Sequence, residues 1–208
     1  MRLKLSGLSI YRGVLNLPAA GALFRLLLED YTDPCELAAA CANATALLAE
    51  AGCLEHTVRA LENAVLWDDN PYTRCLAAGR KPSHLLEAAA LRDLDALRCL
   101  ALFDPAKQGQ TFWTGVFTAA QPPLWSPGRP EGVFAVEPGE LPAYLADFHR
   151  ANGCGVYAAH AAFLWDGGMV PILHSDPITL EELKGYELPR KKVLENTENF
   201  LQGYRASN

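Results

Sequence analysis

The sequence predicts a mainly α protein: a helical bundle with a Pro/Gly-rich connector and one small β-hairpin as a minor α+β element. Three observations predict it. Apolar residues recur at helical spacing through most of the first hundred positions. Pro105, Pro122, Pro123, Pro127, Pro130 and Pro138 then alternate with Gly109, Gly115, Gly128, Gly132 and Gly139, and no long helix passes through such a stretch, because each proline removes a donor and restricts its predecessor. Finally, Asp166-Gly167-Gly168 separates two apolar runs in "AAFLWDGGMVPIL", the pattern of a hairpin with a glycine-permitted turn.

Taken in order, the first helix signal covers Pro18 to Glu29. Asp33-Pro34-Cys35-Glu36 marks the next start: Asp33 can cap, Pro34 suits the first helical position, and Glu36 can complete a capping box. That helix is expected to run to about Glu50 and stop near Gly52. Leu54 to Trp67 follows, closed by Asp68-Asp69-Asn70-Pro71, then a short helix to Gly79 and a long one from Ser83 to Phe103. In the long one Leu86, Ala90, Leu94, Leu97 and Ala101 keep a helical period, with Arg92, Asp93 and Asp95 as the expected wet side.

Residues 104–139 read as a connector whose Phe112, Trp113, Phe117, Trp125 and Phe134 suggest docking on the bundle; a ligand-binding lid is the sharper reading. A helix from Leu141 to Asn152 closes at Gly153, and Pro171 confines the second hairpin strand to an edge. Thr179-Leu180-Glu181-Glu182 fits a capping box, with Ile178 and Leu183 as its hydrophobic staple. Gly185 then makes a corner before a helix in which Val193, Leu194, Thr197, Phe200 and Leu201 share one face. Such a face wants a partner. The organisation is thus 1–103 bundle, 104–139 connector, 140–174 helix plus hairpin, and 175–208 two helices about a glycine corner.

Composition excludes several functions. With 208 residues, 50% hydrophobic and 20% charged, the chain can build one large core. A net charge of −6, from 18 basic and 24 acidic residues, leaves no footprint for nucleic acid. The opening "MRLKLSGLSIYRG" lacks a signal-peptide core, and the Ala-rich run Leu37 to Leu54 makes a poor membrane span; a cytoplasmic protein with no membrane partner is expected. The six cysteines form no C-x-x-C pair, so reduced thiols and no metal site are expected.

Local candidates for chemistry are few. Cys154, between Gly153 and Gly155 with His149 and His160 near in sequence, has the residue types of a thiol enzyme, but reads better as a helix stop. His174-Ser175-Asp176 reads as a turn, since three sequence neighbours do not converge on one nucleophile. Asp68 and Asp69 are expected to sit in a solvated turn, with Asn70 and Pro71 as the stop signal.

The C-terminal wording is more specific. "DPITLEELKGYELPRKKVLENTENFLQGYRASN" resembles the lead-in of AAA-type P-loop ATPases, in which such a segment precedes the first strand of the nucleotide-binding core. More closely it resembles a bacterial ATP-binding family, domain of unknown function 815, through Asn196, Thr197, Glu198, Phe200, Leu201, Gly203, Ala206, Ser207 and Asn208. Weaker similarity touches Ile10-Tyr11-Arg12-Gly13, Asp69-Asn70-Pro71 and the stretch from Phe163.

The resemblance implies that an apolar strand and a Gly-rich phosphate loop follow Asn208, so that 175–208 are lead-in helices of a core outside this chain. It implies ATP and Mg for the parent protein, the core as a partner, an unknown protein partner, and possible homo-oligomers. It also places Leu183, Gly185 and Tyr186 on one wall of an adenine pocket; the competing reading packs Tyr186 between two helices. No G-x-x-x-x-G-K-[ST] string occurs in the 208 residues, so no catalytic residue, cofactor or metal is assigned to this chain. A non-catalytic role in recruitment, regulation or assembly is the reading expected; a self-sufficient helical interaction module docking through Phe112 to Phe134 is the alternative.

Overall fold

Asp33, Asn70 and Ser83 each open a helix with the side-chain bond that their residue types favour. Asp33 accepts from the Cys35 amide at 2.8 Å, and Ser83 accepts from Leu86 at 3.3 Å. Asn70 accepts from Tyr72 and Thr73 at 2.9 and 3.0 Å while Thr73 Oγ1 accepts the Asn70 amide, a complete capping box. In the computed structural model, which describes residues 2–105, 107, 125–172, 176–180, 182 and 184–206, these caps head three of nine helices among the described residues.

The helices are α1 (Arg2–Ser6), α2 (Pro18–Leu28), α3 (Pro34–Glu50), α4 (Thr57–Leu66), α5 (Pro71–Ala77), α6 (His84–Ala101), α7 (Leu141–Asn152), α8 (Val156–Ala159) and α9 (Glu187–Leu201). Strands β1 (Phe163–Trp165) and β2 (Met169–Pro171) pair antiparallel, Leu164 opposite Val170. The mainly helical class with one small hairpin is therefore observed, and the helix starts and stops follow the expected punctuation closely. Two differ. α4 begins at Thr57 because residues 51–56 form turns, and the expected helix after Thr179 is a turn at the described residues Leu180, Glu182, Lys184 and Gly185.

Chain contacts divide the protein into two units, Met1–His160 and Ala161–Asn208. In the first, α2 packs on α3, α1 and α4 pack on α2 and α6, and α5 packs on α7. One core results, with Leu26, Leu48, Leu61, Leu97 and Leu100 all at most 1% exposed; burying each such side chain contributes about 1.5–3 kcal/mol. The described end of the connector belongs to this core through Trp125, Val133 and Phe134, all buried. Phe112, Trp113 and Phe117 lie outside the described residues.

Residues 125–134 dock by backbone as well as by side chains. The Ser126 amide donates to Leu54 O, and the Ser126 and Pro127 carbonyls accept from Thr57 and Val58 at 3.1 and 3.2 Å. Those are first-turn amides of α4 that its own helix leaves unpaired, so the connector caps α4 where His56 provides no side-chain bond. Nearby, Val133 donates to Glu62 Oε1 at 3.1 Å, and Glu131 pairs with Arg59 at 3.1 Å. Gly132, at φ +49°, admits this approach: a Cβ there would overlap the Glu62 carboxylate.

The second unit contrasts with the first. None of its described residues is buried, and Trp165, Tyr186, Leu188, Phe200 and Leu201 are all more than 60% exposed. No helix among the described residues is long and apolar enough to cross a membrane.

Candidate functional site

Three places carry the residues singled out by the sequence: the Asp68 turn, the Cys154 turn and the Gly185 corner. The structure brings the first two together. Gly155 donates its amide to Trp67 O at 3.1 Å, and a Cβ on Gly155 would sit 3.4 Å from Asp69 Cβ. Trp67 also meets Phe148 of α7 edge to face at 5.3 Å, so the junction holds the end of α4 against the end of α7.

Asp68 is not solvated as expected. Burial pushes its carboxyl above the ordinary range, with the Asn70 side chain partly opposing the rise through a 2.7 Å bond from Asn70 Nδ2. Asn70, expected as a stop, is instead the buried cap of α5. Asp69 does reach solvent and pairs with Arg74 at 2.6 Å. Tyr11 and Tyr72 bury their hydroxyls, and burial raises both, Tyr72 to about 12, with the Asn70 side chain partly opposing the rise at Tyr11.

At the neighbouring turn, His149 is fully buried. Its Nδ1 donates to the Gly153 carbonyl at 3.0 Å, which leaves Nε2 as the unprotonated nitrogen, buried and without a partner. Burial depresses its pKa. Cys154 is half-buried and makes no hydrogen bond to either His149 or His160 among the described residues. A thiol nucleophile needs an imidazole oriented toward it; His149 is oriented toward a backbone carbonyl, so the ring braces the end of α7. His174 and Ser175 lie outside the described residues. No group of three or more His, Cys, Asp or Glu among the described residues could hold a metal.

One residue that periodicity misplaced is Asp93. It was expected on the wet side of α6 and is 1% exposed, because its carboxylate accepts the amides of Ser9, Ile10 and Tyr11 at 2.8, 2.6 and 3.1 Å. The sequence signal for it is the segment SGLSIYRG at residues 6–13, whose two glycines break regular structure and leave backbone amides in need of an acceptor.

The Gly185 corner is built from local bonds. Glu182 Oε2 accepts from the Thr179 amide at 2.7 Å and from its hydroxyl at 3.0 Å, the reciprocal half of a capping box; the amide bond is the main reason its carboxyl falls below the ordinary range. Gly185 takes φ +86° with open space where a Cβ would lie, so glycine is required by conformation and not by crowding. Its amide donates to Glu187 Oε1 at 3.1 Å, Arg190 Nη1 donates to the Leu180 carbonyl, and Arg190 N closes the first turn of α9 on Tyr186 O at 2.9 Å. Tyr186 is 63% exposed and is not packed between helices. Leu183 lies outside the described residues.

This corner and its flanks have a counterpart among known families. Residues 158–208 match the family model described as Protein of unknown function (DUF815). The match nearly coincides with the second unit and contains Gly185, Tyr186 and the whole of α9; the weaker similarities at Ile10–Gly13 and Asp69–Pro71 fall outside it. No curated protein and no solved structure matches this chain.

In the DUF815-matching segment the Tyr186 ring is open to solvent, and Gly185 beside it takes a left-handed backbone that lets another group approach closely.

Proposed function

We propose that this chain is a non-catalytic N-terminal region of an AAA-type ATPase, serving partner recruitment, regulation or assembly while a downstream core binds ATP and Mg. The observation that supports this best is the face of α9. Val193, Phe200 and Leu201 are 65%, 67% and 77% exposed on one helical side, inside a segment that matches DUF815. A unit of this size with no buried residue among those described does not supply its own core from them, and an amphipathic helix gains most of its stability by burying its apolar side. Packing against the ATPase core would meet that need and would bring Tyr186 to the edge of the adenine pocket.

In this reading the chain alone does not turn over ATP, since the lysine and hydroxyl that hold phosphates and metal belong to the core. The alternative, an autonomous module docking through Phe112 to Phe134, is less well supported: Trp125 and Phe134, at one end of that segment, are buried in the first unit. The test is a polypeptide carrying this chain together with the coding sequence that follows it. ATP binding by that polypeptide, weakened by Tyr186→Ala, supports the proposal; no apolar strand and GKS or GKT loop downstream, or no ATP binding when they are present, defeats it.

A further inference from the structure

We propose that the cavity between α6 and the end of the connector binds a small apolar carboxylate. Leu91, Leu94 and Arg98 recur at i, i+3 and i+7 along one side of α6, and with Phe134, Val136 and Leu141 they line a space of about 220 Å³. That is the liquid volume of roughly seven waters. Leu94 and Phe134 are each 2% exposed, so the floor is set by core packing. A largely apolar cavity with a few placed polar groups is the usual form of a small-molecule site.

The charges at its edge select the ligand class. Two charged residues line the cavity, Asp95 and Arg98. Asp95 is already engaged by Lys4 Nζ at 2.6 Å. No ion pair to Arg98 occurs among the described residues, so the edge carries one net positive charge. A guanidinium presents a planar fork of donors that matches a carboxylate in two parallel bonds. An anionic head at Arg98 with its apolar body between Leu94, Phe134 and Val136 satisfies both features, whereas an amine would meet a cation and an alcohol would leave the guanidinium without a counter-charge. The connector thereby becomes one wall of a binding site, through its residues 133–138.

The test is calorimetric titration of the 208-residue protein with octanoate, octan-1-ol and octylamine. Octanoate should bind saturably at one site per chain, and loss of the charged hydrogen bonds in Arg98→Gln should weaken it roughly tenfold or more. Arg98→Lys should retain part of the affinity, and Val136→Trp, which fills the cavity from a half-buried position, should abolish binding with the helical circular dichroism unchanged. Octan-1-ol and octylamine should bind more weakly than octanoate. Absence of saturable octanoate binding, equal binding of octylamine, or full affinity in a folded Val136→Trp protein would each overturn the assignment. Should Arg98→Gln fail to fold, Arg98→Lys and Val136→Trp decide it. None of these residues belongs to the α9 face or the Gly185 corner, so the outcome is independent of ATP binding by any downstream core.

Discussion

Asp93 Oδ2 lies 2.6 Å from the backbone nitrogen of Ile10, and the same oxygen accepts the amides of Ser9 and Tyr11. One buried carboxylate on α6 thus satisfies three successive amides of a segment more than eighty residues earlier. Asp93→Ala removes the shared acceptor of three amides, of which that of Tyr11 is buried, a change expected to cost about 3 kcal/mol. Asp93→Asn keeps one acceptor oxygen and should cost roughly half as much. Urea unfolding followed by circular dichroism measures both, and equal stability of Asp93→Ala and wild type would show that the segment finds another acceptor.

His149 makes stability pH-dependent. Burial holds its folded pKa below the unfolded value, near 6.5 for an unperturbed imidazole. The stabilisation is therefore complete above about pH 6.5 and declines as pH falls toward the folded pKa, because the unfolded chain takes the proton first. Glu62 and Asp68, raised by burial, act in the opposite sense: their contribution is present below the unfolded carboxylate range and lost as pH rises through the folded value. Comparing wild type with His149→Gln between pH 7.5 and 5 isolates the histidine. The wild type should lose more stability than the variant over that interval, and parallel curves would refute the assignment.

Gly132 is expected to resist side chains. Its φ of +49° disfavours any Cβ, and an added one meets Glu62. Gly132→Ala should cost about 1–2 kcal/mol from conformation alone, and more if displacing Glu62 frees the Val133 amide. Thermal unfolding of Gly132→Ala beside Gly139→Ala gives the contrast, since Gly139 has open space and its substitution should change the midpoint little.

The exposed α9 face lets its proposed packing role be tested apart from the folding of the first unit. Phe200→Gln with Leu201→Gln should alter the stability of this chain by no more than about 0.5 kcal/mol, as surface changes usually do. In a polypeptide that includes the proposed ATPase core, the same pair should lower unfolding temperature or ATP affinity. No effect in the longer protein would remove the packing role of α9.

Hydrogen exchange should divide the chain as its burial does. Amides of α6 should exchange at the rate of global opening and those of α9 much faster, because local opening energies follow buried apolar contacts. Slow exchange throughout α9 would show that its apolar face is covered.

Much of the helical frame was legible because its signals are local. Asp33-Pro34 and Ser83 act on amides within three residues, and the Asp166-Gly167-Gly168 turn acts across a two-stranded hairpin. The left-handed turn at Gly185 was legible for the same reason, since glycine is the residue that takes positive φ without strain, although the helix expected before it is a turn. Periodicity failed at Asp93 because it records the mean polarity of a face and not the acceptor that a distant segment requires. It failed at Asp68 and Asn70 because a Pro-terminated polar run looks the same whether it meets solvent or, as here, has Gly13 against the Asp68 carboxylate and the Tyr72 amide on Asn70.

By itself, then, the sequence determined the longer helices and the Asp33 cap, the hairpin turn, the absence of a phosphate loop from these 208 residues and the apolar side of α9. Tertiary structure alone decided that Asp93 is buried, that the Cys154 turn sits beside Asp69, that residues 125–134 cap α4, and that Leu94, Arg98 and Val136 enclose a cavity. The division follows from range: caps and turns are satisfied within a few residues of chain, whereas burial and charge pairing depend on which distant surfaces the packed core brings into contact.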